Sequence, residues 1–278
     1  MRLRHALTFA VALLTAHASV HAQTAAGSDR IVVPLSSPDK PAELSVSLIN
    51  GGITVEAYPG KEIILYTSPG EAEDGDEHDS DSKPRAANGL RRLPNASVGL
   101  VVEEENNQVR VESSSWNRAN NLRLQVPVNT SLKLSCVNDG DISVRGVVGE
   151  HELQNVNGGI EIIDAQGSVV ASTTNGDVKV VLSRIDGGKA MAFSSFNGDV
   201  DVTLPAAAKA IVRLRSDQGE IFSDFDVAID RNPPQVREER SGSRYRIEVQ
   251  QELRGTIGGG GPEFLFKTFN GDIYLRKK

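Results

Sequence analysis

The chain has 278 residues, which is enough for one large or two modest domains, and it carries a formal net charge of −7. An acidic balance of this size repels phosphate and argues against nucleic acid or an anionic membrane surface as the partner. Hydrophobic residues make up 38% of the chain and aromatic residues only 5%. Because the valines, isoleucines and leucines recur in alternation, the composition favours many half-buried strands over helices.

The N-terminus is typical of an export signal. Arg2 and Arg4 precede an apolar run at residues 6–16, and small residues at 20–22 provide a cleavage site. The apolar run is shorter than the ~20 residues that a spanning helix needs. We therefore predict a signal peptide at residues 1–22 and no transmembrane segment in the mature chain. The mature protein is expected in the periplasm, outside the cell or at the cell surface.

Residues 23–127 form a first predicted region, an assembly of short strands in a small antiparallel sheet. Asn50 and Gly51 lie between two alternating apolar runs, and this dipeptide is the strongest short hairpin signal. Asn106 and Asn107 indicate the tip of a second hairpin. The region is thus predicted to contain at least two hairpins.

An acidic segment, predicted as a disordered loop at residues 69–89, interrupts this region. Seven acidic residues lie between Glu71 and Asp81, with no large apolar residue among them. Such a segment cannot bury enough surface to offset the entropy lost on ordering, which predicts a solvated loop. A calcium or cationic tether is the alternative, although the ligand spacing of an EF-hand is missing.

Residues 128–278 contain a repeated turn signature, Asn-Gly followed by Asp or Gly and then Ile or Val. Successive glycines of the central copies are 18, 18, 22 and 21 residues apart. A period near 20 that opens short alternating strands predicts an all-β repeat stack of the β-solenoid or β-helix type. An antiparallel meander or sandwich is the alternative, and residues 226–262 are predicted to be an excursion. The predicted turn glycines are Gly51, Gly140, Gly158, Gly176, Gly198, Gly219 and Gly271.

Acidic residues follow the turn glycines at equivalent positions. They are Asp141, Asp177, Asp199, Glu220 and Asp272. In a stack they would form one line, either as turn residues that accept backbone hydrogen bonds within their own turn or as weak calcium ligands between which a cation relieves repulsion. The nine-residue spacing of calcium-binding β-rolls is absent, so we predict a structural role and no bound metal.

Several of these segments resemble one bacterial family. The strings NLRLQVP, SLKLSCVNDGDISVRG, ELQNVNGGIEI, TTNGDVKV and SSFNGDVDVTLP are similar to the DUF4097 family of adhesin-like β-strand repeat proteins. SLINGGITVEAYPGKEIILY resembles the entry segment of that family and FKTFNGDIYLRKK its end, so the resemblance spans residues 43–275. It implies an exported, repetitive β protein, and it brings no catalytic residues to this chain.

Catalytic constellations are scarce. The predicted mature chain has two histidines, His78 and His151, which is a weak basis for a metal site or a triad. Cys136 is the only cysteine, lies on an alternating strand and is predicted to be buried. Two carboxylate pairs suit a glycosidase by sequence proximity. These pairs are Glu161 with Asp164 and Asp224 with Asp226.

The sequence therefore predicts an exported, non-enzymatic protein without a cofactor, acting as an adhesin or as a scaffold or binding module of the cell envelope. Its partner would be an unidentified envelope or surface component, and self-association is possible through the repeats. Two alternatives remain: an envelope polymer that assembles by pairing of its end coils, and a carbohydrate-active β-helix enzyme.

Overall fold

The computed structural model describes residues 22–25, 28–69, 99–113, 120–138, 140–186, 188–230, 235–241, 244–250 and 252–278. Residues 1–21 of the predicted signal peptide lie outside this set, as do residues 70–89 of the predicted acidic loop. His78 also lies outside the described residues.

The described residues form 23 β-strands, and none of them is helical. The prediction of an all-β class is confirmed. Accordingly, no described segment forms an apolar helix long enough to cross a membrane. The strands before the repeats are β1 (Ala22–Ala25), β2 (Ser28–Pro34), β3 (Ala42–Asn50), β4 (Ile53–Tyr58), β5 (Glu62–Pro69), β6 (Leu100–Glu105), β7 (Gln108–Ser113) and β8 (Asn120–Pro127). The strands that follow are β9 (Thr130–Asn138), β10 (Ile142–Arg145), β11 (Val148–Asn157), β12 (Ile160–Asn175), β13 (Val178–Ile185), β14 (Met191–Asn197), β15 (Val200–Leu204), β16 (Ala210–Ser216), β17 (Ile221–Ser223), β18 (Ala228–Ile229), β19 (Gln235–Ser241), β20 (Arg244–Gln250), β21 (Leu253–Ile257), β22 (Glu263–Thr268) and β23 (Ile273–Lys277).

The repeats pair in parallel, in two rows. One row runs β8–β4–β10–β12–β13–β15–β23–β17, and the other runs β7–β3–β9–β11–β12–β14–β22–β16. Strand β12 belongs to both rows because its ladder is interrupted around Asp164, which has a φ of 54°. Equivalent repeat positions face one another, as in the pairs Ile160–Val178 and Val178–Val200. A meander would instead require antiparallel neighbours.

The predicted hairpin at Asn50 and Gly51 is wrong. Strands β3 and β4, which flank this turn, do not pair with each other; β3 pairs with β7 and β9, and β4 pairs with β8 and β10, all in parallel. The turn is a corner between the two rows, because stacking on the next repeat buries more apolar surface than a lone hairpin could. The N-terminal strands are consequently not a separate antiparallel sheet. Antiparallel pairs in this region are β1–β2, β2–β5, β5–β8 and β6–β7.

The hairpin predicted at Asn106 and Asn107 is present. These residues join β6 to β7 with φ values of 55° and 66°, as a tight two-residue turn requires. At the C-terminal end, β21 and β18 add antiparallel strands beside β16, and within the described part of the chain β19 pairs with β20 alone. The predicted excursion at 226–262 therefore contains a hairpin of its own.

Alternate side chains of both rows point into one shared core. Among the largest fully buried side chains are Phe193, Phe264 and Phe266, and the rings of Phe193 and Phe266 stack with centroids 5.3 Å apart. Cys136 is buried as predicted, with 1% of its surface exposed. This narrow core holds both rows at fixed positions, so equivalent turns lie next to one another along one corner.

Candidate functional site

The corner that follows β3, β9, β11, β12, β14 and β22 carries a line of six asparagines, here called the asparagine ladder. In each case the side-chain amide of one asparagine donates to the side-chain oxygen of the preceding one. The donor–acceptor distances, in order along the ladder, are 3.2, 3.1, 2.8, 2.8 and 2.8 Å. The members are Asn50, Asn138, Asn157, Asn175, Asn197 and Asn270. None of these six has a positive φ, so they recur for the ladder and not for turn conformation.

Two different constraints select the glycines of this corner. Gly176 has a φ of +142°, and a Cβ there would lie 2.4 Å from the carbonyl oxygen of Gly158. Gly219 has no positive φ, yet its Cβ would lie 2.0 Å from the carbonyl oxygen of Gly271. Close approach of neighbouring coils is thus sufficient to require glycine. Five of the seven predicted turn glycines have positive φ, namely Gly51, Gly158, Gly176, Gly198 and Gly271, whereas Gly140 and Gly219 do not.

A second ladder lies just inside the asparagine ladder and satisfies the glycine carbonyls. Thr173 donates its hydroxyl to the carbonyl of Gly158, and Cys136 donates its thiol to that of Gly51, each at 2.8 Å. The cysteine therefore occupies a hydrogen-bonding position as well as a core position. The other donors at this position are Asn155, Ser195, Ser216 and Thr268, at 2.8–2.9 Å.

The predicted acidic line exists, and its carboxylates have structural partners. Asp177 accepts the amide N–H of Asp199, and Asp199 accepts that of Asp272, each at 2.8 Å. Asp272 in turn accepts the amide of Glu220 at 2.8 Å, and Asp141 accepts that of Gly159 at 2.7 Å. These bonds join neighbouring coils, whereas the sequence predicted bonds within each turn.

The acidic line does not bring carboxylates into a metal cage. Gly159 separates Asp141 from Asp177, so the line is broken at that coil. Among the residues that the structure describes, no group of three or more acidic, histidine or cysteine residues could hold a metal ion. The geometry thus supports a hydrogen-bonding role for the line, and the weak calcium prediction gains nothing from it.

An exposed apolar line, here called the apolar ridge, runs beside the asparagine ladder and was not predicted. It consists of the residue that precedes each ladder asparagine: the apolar residues Ile49, Val137, Val156, Phe196 and the half-buried Phe269, with Thr174 interrupting them between Val156 and Phe196. Phe196 is 50% exposed, and its ring stacks on that of Phe269 at 4.9 Å and 1°. The signal was present in the sequence as an apolar residue before Asn-Gly. The residue directly before each ridge position is buried, and strand alternation therefore points the ridge residue outward.

The carboxylate pairs proposed for a glycosidase are committed to other contacts. Glu161 lies 3.2 Å from the ammonium group of Lys179, and Asp164 lies 3.0 Å from that of Lys278. These carboxylates are solvent-exposed, with side-chain exposures of 40% and 57%. Asp224 accepts a backbone N–H at 3.3 Å. Neither pair has the buried, unpaired acid that glycoside hydrolysis uses as its proton donor.

A groove of about 430 Å³ lies on the outer face of the second row. It is lined by Glu43, Ser131, Lys133, Glu150 and Glu152 among others, and His151 also contributes to its lining. Two of the glutamates are neutralised by lysines: Lys133 lies 3.5 Å from Glu152, and Lys189 lies 2.8 Å from Glu150.

His151 itself belongs to the core, with 2% of its surface exposed, and neither ring nitrogen has a hydrogen-bond partner. Burial lowers the pKa of this imidazole, while the nearby backbone of Gln166 and Val147 acts weakly in the opposite sense. The ring is therefore neutral, and it packs in the same line as Leu132 and Val169. Its position is that of a core residue and not of a metal ligand.

The turns, ladders and paired rows define an all-β protein in which polar side chains of the corner join one copy of the turn signature to the next. Residues 17–254 match the family model described as Toastrack DUF4097, and the chain belongs to this family. The resemblance found in the sequence is thereby confirmed. The matched range stops before the last copy of the turn signature at Asn270.

Two solved structures are similar to the chain at low identity. One, from Clostridium sporogenes, is described as a "putative cell adhesion protein", and it has 12% identity, a TM-score of 0.46 and coverage of 90% of this chain and 99% of its own. The other, a "putative adhesin" from Bacteroides fragilis, has 8% identity, a TM-score of 0.33 and coverage of 90% and 98%. No curated protein matches the sequence.

Proposed function

We propose that the protein is a non-enzymatic, adhesin-like binding scaffold of the cell envelope or surface, built as a solenoid-like stack of repeats. The observation that carries this proposal is the asparagine ladder, which continues through six turns without a break. A line of this kind fixes the spacing of equivalent side chains at about one strand separation, ~4.8 Å. A corner on which equivalent side chains recur at a fixed spacing suits display and binding.

The distribution of polar contacts supports binding over catalysis. Four of the five acidic side chains of the corner accept backbone amides, and several acidic side chains on the outer faces pair with lysine or arginine. Arg276, for example, binds both carboxylate oxygens of Asp201 at 2.8 and 3.0 Å. Catalysis by a carboxylate pair would need at least one acid with a perturbed pKa in a water-poor cleft. The carboxylates of the two candidate pairs instead lie on exposed faces.

The test is capture of envelope components by the purified protein. The mature chain is immobilised and incubated with solubilised envelope extract, once with calcium and once with a chelator, beside a heat-unfolded sample of the same chain. We expect the folded chain to retain a component that the unfolded chain does not. Equal retention by both samples would contradict the proposal.

The enzymatic alternative has its own test. We expect no hydrolysis in a panel of cell-surface glycans. Activity that disappears in Glu161→Gln or Asp224→Asn would overturn the non-enzymatic assignment, because these variants preserve shape while removing the carboxylate.

A further inference from the structure

The apolar ridge is the most regular exposed apolar feature on the described surface. Of the nine large hydrophobic side chains exposed among the described residues, four belong to it: Ile49, Val137, Val156 and Phe196. Scattered single apolar residues are ordinary on a protein surface, whereas a contiguous line is typical of an interaction site. The ridge is six rungs long, or about 24 Å at the usual strand spacing.

The rows on both sides of the ridge are almost free of charge. One neighbour is the asparagine ladder, and the other is the row of outward side chains two positions earlier in each repeat. That row contains Ser47, Ser135, Gln154, Ser172, Ser194 and Lys267. On a chain with a net charge of −7, contact along this strip avoids placing like-charged side chains of two copies directly against each other, because the aspartates of the acidic line lie on the far side of the asparagine ladder.

Two of the edge strands, by contrast, are acidic. Among the described residues, β6 pairs with β7 alone and carries Glu103 and Glu105, and β17 pairs with β23 alone and is flanked by Glu220 and Asp224. Acidic residues on an edge strand oppose pairing with another edge of the same sign. Pairing of β6 in one copy with β17 in another, one form of the end-to-end polymerisation raised by the sequence, is therefore disfavoured relative to lateral contact.

We propose that the apolar ridge is a lateral self-association surface, and that its occupant is the ridge of a second copy in antiparallel orientation. The antiparallel arrangement sets Ile49 against Phe269 and Val137 against Phe196, so that each large ring faces a smaller side chain. A parallel pair would bring the phenylalanines together at one end and leave valine against valine at the other. Facing large with small keeps the gap between the two copies even.

This contact is weak and depends on concentration. Six partly exposed side chains supply on the order of 300–400 Å² of surface per copy, which is near the upper size of ordinary surface patches. Two copies then bury less than the ~1,200 Å² of a stable interface. This contact would matter through avidity, and that step rests on the proposed adhesin-like function: many copies displayed on facing surfaces would form many weak contacts at once.

The first experiment measures association of the purified mature protein by sedimentation velocity from about 10 µM to about 1 mM. We expect a monomer–dimer equilibrium whose dissociation constant rises at least about tenfold in Phe196→Ser. Val101→Ser and Ile229→Ser remove side chains that are 49% and 56% exposed outside the ridge, and they should leave the equilibrium unchanged. A monomer over the whole range, or an equal effect of the control variants, would overturn the proposal.

The second experiment tests the orientation with engineered cysteines at the two ends of the ridge. Neither Ile49→Cys nor Phe269→Cys should cross-link with itself, whereas a mixture of the two should give a disulfide-linked dimer. The native Cys136 is buried and does not interfere. Cross-linking of each variant with itself, and not in the mixture, would overturn the antiparallel arrangement.

The outcomes are separable from those of the proposed function. A bead-aggregation assay, in which beads coated with the protein are mixed, reads out contact between copies on facing surfaces. If Phe196→Ser is monomeric in solution and beads coated with it no longer aggregate, the self-association proposal is supported. If it is monomeric and the beads still aggregate, the homophilic role is wrong, while capture of envelope components remains a separate result. Correct folding of each variant is checked by its far-ultraviolet circular dichroism.

Discussion

Replacement of Gly176 by alanine should test whether the corner depends on close stacking of coils. The new Cβ would lie 2.4 Å from the oxygen of Gly158 at a φ of +142°. A non-glycine residue in such a conformation costs about 1–3 kcal/mol. Relief of the clash requires the two neighbouring strands to separate by more than half an ångström. The hydrogen bond from Thr173 to Gly158, now 2.8 Å long, would then approach the longest donor–acceptor distance of a hydrogen bond.

Loss of two or three such bonds adds about 1 kcal/mol each, for a total of about 3–6 kcal/mol. This is a large part of the 5–15 kcal/mol by which folded proteins are typically stable, and it corresponds to a fall in Tm of roughly 10 °C or more. Thermal unfolding followed by circular dichroism, together with urea titration, measures the change.

Three other glycines separate the two causes. A Cβ on Gly188 would meet no atom within 4 Å at an ordinary φ, and one on Gly259 would meet none at a φ of +86°. Gly219 would clash at 2.0 Å without a positive φ. Gly188→Ala should therefore leave the free energy of unfolding unchanged. Gly259→Ala should lose only the part that comes from the backbone conformation, and Gly219→Ala only the part that comes from the clash. If Gly176→Ala is no less stable than Gly188→Ala, the stacking argument is refuted.

Other predictions concern buried and laddered polar groups. Burial lowers the pKa of His151 below its ordinary 6.5, so below pH 6.5 the unfolded chain binds a proton that the folded chain does not. The free energy of unfolding should thus fall between pH 7.5 and 5.5, about where the histidine of the unfolded chain titrates, and His151→Leu should flatten this slope in urea titrations. Asp199→Asn retains the acceptor for the amide of Asp272 and should leave Tm unchanged, whereas Asp199→Ala should lose about 1 kcal/mol; equal Tm values would dismiss the ladder as a source of stability. Cys136→Ser keeps a donor to the carbonyl of Gly51, so it should exceed Cys136→Ala by about 1 kcal/mol in unfolding free energy, and the reverse order would count against that bond.

Local patterns in the sequence were sufficient for some features because they depend on neighbours along the chain. Strict alternation, as in Val178, Val180 and Leu182, predicts strands and their buried faces without knowledge of partners. The two asparagines at 106 and 107 likewise predict a tight hairpin, since the positive φ of both is a local property. The family, too, is evident from the ordered copies of the turn signature.

Reasoning from local patterns failed to predict features that depend on contacts between strands from different repeats. Asn50 and Gly51 have the composition of a hairpin, yet packing against other repeats makes them a corner. Asp199 was predicted to accept a bond within its own turn, but the amide it accepts belongs to a residue 73 positions away. The partner of such a hydrogen bond depends on which strands lie side by side, and the order of strands in the sheet differs from their order along the chain.

By itself, the sequence determined that this protein is all-β, repetitive and built on turns of asparagine and glycine, because alternation and turn preference act over a few residues. Only the tertiary structure decided what those turns are for. Parallel stacking brings residues that are 15 to 88 positions apart to within hydrogen-bonding distance. It aligns six asparagines and leaves six side chains, most of them apolar, in one exposed line, because strands in register repeat the same side chain at the same place.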